Sequence, residues 1–120
     1  MVSLHKAVVG LAVEGRLLAA PASVHALETS SGQEDVQALT FVSADRLGRA
    51  LDGLETALAC ELVALRQAAH LRGRPPDAPA LASVLEVLAA EIEPVFDDRT
   101  LSPDVGRAVA LVRAGSLLAR

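Results

Sequence analysis

The residues in this chain with chemistry to offer are few and largely gathered in one place. Thr29-Ser30-Ser31-Gly32-Gln33-Glu34-Asp35 is the only densely polar stretch ahead of a long apolar segment. Hydroxyls compete for backbone groups and glycine permits positive φ, so its first four residues read as a structured loop. An amide, Gln33, and two carboxylates, Glu34 and Asp35, follow. A carboxylate can accept a proton or pair with an ammonium. Acids that follow turn formers and precede an apolar segment more ordinarily serve as surface or capping groups, and the residue types alone favour that plainer role. The remaining candidates are scattered. His5, His25 and His70 lie far apart without ligand spacing, so no metal site is expected. Asp97-Asp98 reads as a solvated turn. Cys60 is the lone cysteine, which excludes an internal disulfide. It sits on an apolar-rich helix and reads as a small core residue rather than a reactive thiol. It also fits a reducing, cytoplasmic setting.

The elements that must position these groups are helices. Of 120 residues 52% are apolar, almost all Leu, Val and Ala, with two Phe and no Tyr or Trp. Ala and Leu favour helices and aromatics favour strands, so the composition predicts an all-α fold and a single domain over residues 1–120. The first helix spans residues 2 to about 19, with Leu4, Val8, Leu11, Leu17 and Leu18 at mostly helical spacing, and Pro21 ends it. Residues 20 to about 40 lack a clean period. Ser43 is a fitting N-cap for the second helix, with Asp45 in its first turn. Leu47, Leu51, Leu54, Leu58, Leu62, Leu65 and Ala69 then form an apolar stripe that ends near Leu71, before Gly73 and Pro75-Pro76. Glu61 and Arg66 interrupt it as boundary charges or as partners for a neighbouring chain. A third helix starts near Pro79 and is limited by Pro94. Ser102-Pro103-Asp104 announces a fourth, with Ser102 as the cap and Gly115 as the stop. The expectation is a bundle of about four helices around one long central rod. At about 1.5 Å per residue the rod comes to about 40 Å, longer than a compact chain of this size is wide. That mismatch predicts partners along it.

Net charge is −4, and basic residues are scattered singly with no aromatic platform, which argues against nucleic acid. Lys6 followed by Ala7 to Val13 imitates a short signal core, but Glu14 and Arg16 interrupt it. No uncharged stretch approaches the roughly 18 to 20 residues a membrane span needs.

Pro21-Ala22-Ser23-Val24 followed by the Thr29 to Asp35 run resembles, with the same spacing, the active-site segment of the aromatic amino acid ammonia-lyases, above all the histidine ammonia-lyases. The likeness continues through Cys60-Glu61-Leu62 and Gln67-Ala68 on the long helix to Asp98-Arg99-Thr100-Leu101-Ser102-Pro103-Asp104, so it covers about Ala12 to Val112. The fold it implies is the C-terminal helical part of a lyase. By the resemblance, Glu34 would face the substrate amino group and the electrophile. Gln33 would orient the substrate, and His25 would lie near the site in an assembled complex. One position departs from the pattern. The family's His after the Asp is Val36 here, which puts a histidine-type substrate in doubt.

The family's electrophile forms from an Ala-Ser-Gly tripeptide, which occurs nowhere in this sequence. Arg113-Ala114-Gly115-Ser116 has related letters in the wrong order, and the family's Tyr base has no counterpart in a chain without Tyr. The resemblance therefore implies a chain that is inactive alone and carries no cofactor. Its expected partner is a lyase N-terminal half, with an aromatic amino acid as substrate in the complex, or further copies of itself. The competing expectation is a non-catalytic helical module, for oligomerisation or regulation, derived from a lyase. A truncated lyase remains a third reading of the same residues.

Overall fold

A computed structural model describes residues 1–28, 30–33 and 39–118 of the chain. Four helices make up the described architecture: α1 (Val2–Leu18), α2 (Thr40–Arg72), α3 (Pro79–Glu91) and α4 (Ser102–Arg113). No strand occurs among the described residues. The all-α expectation holds, and so do the stops. Gly73 takes φ +67° and donates its N–H to the His70 carbonyl, closing α2. Gly115, at φ +65°, closes α4. There the N–H groups of Gly115 and Ser116 reach back to the carbonyls of Val112 and Leu111, at 3.0 and 3.1 Å. This paired pattern satisfies two carbonyls that the helix would otherwise leave bare.

The two predicted serine caps are corrected. α2 begins at Thr40 with Leu39 in the cap position and no side-chain cap. The Ser43 N–H already bonds to the Leu39 carbonyl at 2.9 Å, so Ser43 lies inside the helix. Serine, threonine and phenylalanine cost a helix only a few tenths of a kcal/mol each, and an established helix extends through them cheaply. Ser102 is likewise the first helical residue of α4, behind Leu101, and makes no cap bond. What anchors that start is Asp104, whose carboxylate is 1% exposed. It pairs with Arg99 and, at 3.0 Å, with Arg107.

α2 is the element on which the others lie. Its 33 residues amount to about 50 Å of rod. α1 runs antiparallel along its first half. Arg46 Nη2 donates to the Leu17 carbonyl at 2.6 Å, and Arg49 pairs with Glu14 at 2.9 Å. Leu11 packs over Gly53, with a methyl 3.8 Å from where a Cβ would sit. α3 and α4 close on the second half. The buried core holds Ala59, Cys60 and Val63 of α2 with Leu4, Leu88, Ile92, Leu101 and Ala108. Gln67 clamps the extended segment after α3 by accepting from the Val95 N–H at 2.8 Å and donating to the Val95 carbonyl at 3.1 Å. Arg66 Nε donates to the Ile92 carbonyl at 3.1 Å. Arg66 is thus tied within the chain, whereas Glu61 is exposed.

The result is elongated, 68 × 34 × 21 Å with a radius of gyration of 19.9 Å. A compact chain of this length would have about 14 Å. Leu47, Leu51, Leu54 and Leu58 remain 61, 52, 55 and 42% exposed. The face of α2 buried within the chain is therefore not the leucine stripe but the small-residue face beside it.

Candidate functional site

The candidate site is built on the connection between α1 and α2. Pro21, extended at φ −58° and ψ 126°, breaks the α1 direction. A 3-10 turn at Ala22–His25 follows, held by the Ala26 N–H to the Ser23 carbonyl at 3.2 Å. Ala22 is buried and anchors the turn, while Ser23, Val24 and His25 face outward.

The second turn, Ser30–Gly32, carries the unusual backbone. Ser30, Ser31 and Gly32 all take left-handed φ values of 52, 56 and 77°. The two serines hold a conformation that costs non-glycine residues of order 1 kcal/mol or more each. Glycine is favoured at position 32 by its φ of +77°, and a Cβ there would also press on the exposed Glu28 carboxylate at 3.3 Å. The turn closes with the Gln33 N–H donating to the Ser30 carbonyl at 3.2 Å. Gln33 itself is exposed. Glu34, the predicted catalytic residue, lies outside the described residues, as do Thr29, Asp35 and Val36. The described part of the loop is thus a strained, tightly turned lead-in that delivers Gln33 to the surface.

Beside this connection lies an open cleft of about 340 Å³. The end of α1 and the Pro21-Ala22 corner form one wall, and Ser43, Arg46, Leu47 and Ala50 form the other. Ser43 and Arg46 are the residues that sequence reasoning passed over. Ser43 was assigned to capping, and Arg46 carries no motif. Arg46 is signalled only by its position on the helix turn that faces the Pro21 corner. Among the described residues, the cleft's lining includes no carboxylate, imidazole or thiol. General acid–base or nucleophilic chemistry there requires a group from the loop or from another polypeptide.

The other sequence candidates take structural places. Cys60 is buried, and desolvation pushes its thiol above the ordinary range. Such a thiol stays protonated and inert at neutral pH. His70 stacks edge-on with Phe96 at 5.2 Å. Among the described residues no three metal-ligating side chains gather in one place. No described helix is long and apolar enough to cross a membrane. Two of the three family-like segments outside the loop, at Gln67 and at Arg99 to Asp104, are explained by the Val95 clamp and the buried ion pairs.

With this geometry established, comparison with known proteins is specific. The aromatic amino acid lyase family model matches residues 1–91. The chain is 37% identical over 112 residues to a histidine ammonia-lyase of Aromatoleum aromaticum, covering 93% of this chain and 21% of the relative. It is 41% identical over 107 residues to a histidine ammonia-lyase of Streptomyces coelicolor, covering 88% of this chain and again 21% of the relative. A histidine ammonia-lyase of Gloeobacter violaceus matches at 34% over 108 residues. The chain spans about a fifth of the length of these curated relatives. The family match covers well over half of these residues, and the chain belongs to the aromatic amino acid lyase family.

Proposed function

We propose that this chain is a component of a split ammonia-lyase or aminomutase, inactive alone, that completes a site whose electrophile another polypeptide supplies. The observation that carries the reading is a disparity within one sequence. The Gln33-Glu34 segment is kept, behind a turn whose serines hold a costly backbone. Yet these 120 residues contain neither Ala-Ser-Gly nor any tyrosine. In the complex Glu34 takes the proton or pairs with the substrate ammonium, and Gln33 orients an aromatic amino acid by hydrogen bonds. Val36, where the resemblance leads one to expect His, shifts the substrate class away from histidine. The lone protonated thiol suits a reducing compartment, and the cytoplasm is the proposed location.

The test is co-expression with the N-terminal half of a histidine ammonia-lyase, followed by co-purification and an ammonia-release assay with histidine, phenylalanine and tyrosine. The expected result is a complex with activity that Glu34→Gln removes while the complex persists. Failure to form a complex, or a complex without ammonia release from any of the three, overturns the reading.

Val36 together with the missing electrophile favours a second reading, a helical oligomerisation or regulatory module that no longer serves catalysis. Under it Glu34→Ala leaves the biological activity unchanged, while Leu58→Asp abolishes assembly.

A further inference from the structure

The connection that carries Gln33 leaves α1 after Leu18 and returns to the rod at Thr40. α2 and α4 are closed from within, by left-handed Gly73 and Gly115. α1 has no such stop. Ala19, its C-cap, stays right-handed at φ −74° and ψ −11°. A helix that ends in this way leaves its last carbonyls to be satisfied from elsewhere. From its own chain the Leu17 carbonyl receives a long bond, the Ala20 N–H at 3.4 Å. Its short bond, 2.6 Å, comes from Nη2 of Arg46, 29 positions away in sequence.

We infer that Arg46 is a positioning residue for the Gln33-Glu34 loop. By holding the Leu17 carbonyl it fixes the point where the chain leaves α1, and so where the loop starts relative to the end of α2 that receives it. Arg46 acts through the loop and not on a substrate. Its effect on a reaction rests on the split-lyase reading, whereas its hold on the loop stands without it.

The first support is placement. Arg46 lies six residues after Thr40, about 9 Å along the rod at 1.5 Å per residue. The departure from α1 and the return to α2 are therefore both planted on the first turns of one rigid element. The second is chemistry. The guanidinium is a cation at the C-terminal end of α1, where the helix dipole reinforces a charged hydrogen bond. Arg46 is half-buried and lines the same cleft as Pro21 and the buried Ala22, so helix end, corner and rod are packed as one unit. The third is repetition. Arg66 of the same rod donates to the Ile92 carbonyl at the end of α3, at 3.1 Å, just ahead of the segment that Gln67 clamps. The rod sets the exits of α1 and α3 by the same means.

Arg49 supplies the contrast. It also ties α1 to α2, but through the Glu14 side chain, about one turn before the corner. Its partners are 58 and 50% exposed. Losing it removes a surface ion pair of small worth and leaves the exit of α1 unchanged.

Backbone amide relaxation by NMR on the intact chain tests this, with Arg46→Ala, Arg46→Lys and Arg49→Ala compared. In the wild type, order parameters over Ala22–His25 and at Gln33 should lie near the rigid value of about 0.85. Arg46→Ala should lower them below about 0.6, with the amides of α3 and α4 and the helix content by circular dichroism unchanged. Arg46→Lys, which keeps a cationic donor for a single carbonyl, should restore most of the order. Arg49→Ala should leave it intact. A loop as mobile in the wild type as in Arg46→Ala, or an equal loss in Arg49→Ala, would overturn the inference. In a complex with the N-terminal half of a lyase, Arg46→Ala should lower kcat by about tenfold or more, and Arg46→Lys should recover it. An active complex in which Arg46→Ala keeps full kcat refutes the positioning role. A wild-type complex that releases no ammonia refutes the split-lyase reading alone, because the relaxation result does not depend on it.

Discussion

The two halves of α2 have the same backbone and a similar apolar content, yet they end differently. From Ala59 onward one face of the rod is enclosed. Ala59, Cys60 and Val63 are buried against Leu88, Ile92 and Ala108, and every polar group drawn inside has a partner. From Thr40 to Leu58 the rod carries α1 on one side and leaves a row of leucines in water, with Phe41 91% exposed at its start. The difference teaches that apolar residues alone do not make a core. The closed half has small residues at the contact, which admit neighbouring helices. It also has polar clamps, Gln67 on Val95 and Asp104 between two arginines, that hold the neighbours in place. The open half offers large leucines, and its polar clamps, Arg46 and Arg49 on α1 and Arg113 of α4 on Asp52 and Glu55, lie on exposed surface and leave the leucine row uncovered.

The comparison can be broken most sharply at Asp104. Asp104→Asn leaves Arg99 and Arg107 facing an uncharged group and should lower unfolding free energy by about 3 kcal/mol or more, measured by urea denaturation. An effect under 1 kcal/mol would mean that the closed half does not depend on its ion pairs. Next comes a matched pair of leucines. Leu88→Ala, at a fully buried site, should cost about 2 to 5 kcal/mol. Leu47→Ala should cost about 0.5 kcal/mol or less in a dilute, monomeric sample, because that side chain is already in water. Equal losses would erase the distinction between the halves.

The smallest expected effect concerns pH. Burial raises the Cys60 thiol in the folded chain. Below the ordinary thiol range, about 8.5, both folded and unfolded chains keep the proton and the group contributes nothing that changes with pH. Above it the unfolded chain ionises first, so stability falls as pH rises. The urea midpoint should drop further between pH 7.5 and 9.5 in the wild type than in Cys60→Ala. An identical drop would place the thiol in contact with water.

Much of the architecture was legible in the residues themselves. Helical spacing, Pro21, Gly73, Pro79 and Gly115 mark where helices start and stop, because backbone geometry at proline and glycine depends little on the surroundings. The caps at Ser43 and Ser102 were misread for the opposite reason. A hydroxyl only biases a helix end, and neighbouring turns or a buried ion pair can move that end by several residues. Gln33 and Glu34 stand out in the sequence by their resemblance to a family motif, and the structure adds the left-handed serines ahead of Gln33, while Glu34 lies outside the described residues. The part played by Ser43 and Arg46 was not legible, since it comes from a contact between residues more than twenty positions apart.

The sequence by itself determined that this chain is helical, that it is built on one long rod, and that it carries the Gln-Glu-Asp segment of a lyase without an electrophile. These follow from local periodicity and residue identity. Only the tertiary structure decided which face of the rod is covered, because the small-residue face and the leucine face are equally apolar in the sequence. The choice between them depends on how closely α3 and α4 can approach, and on whether Asp104 and Gln67 find their partners when they do.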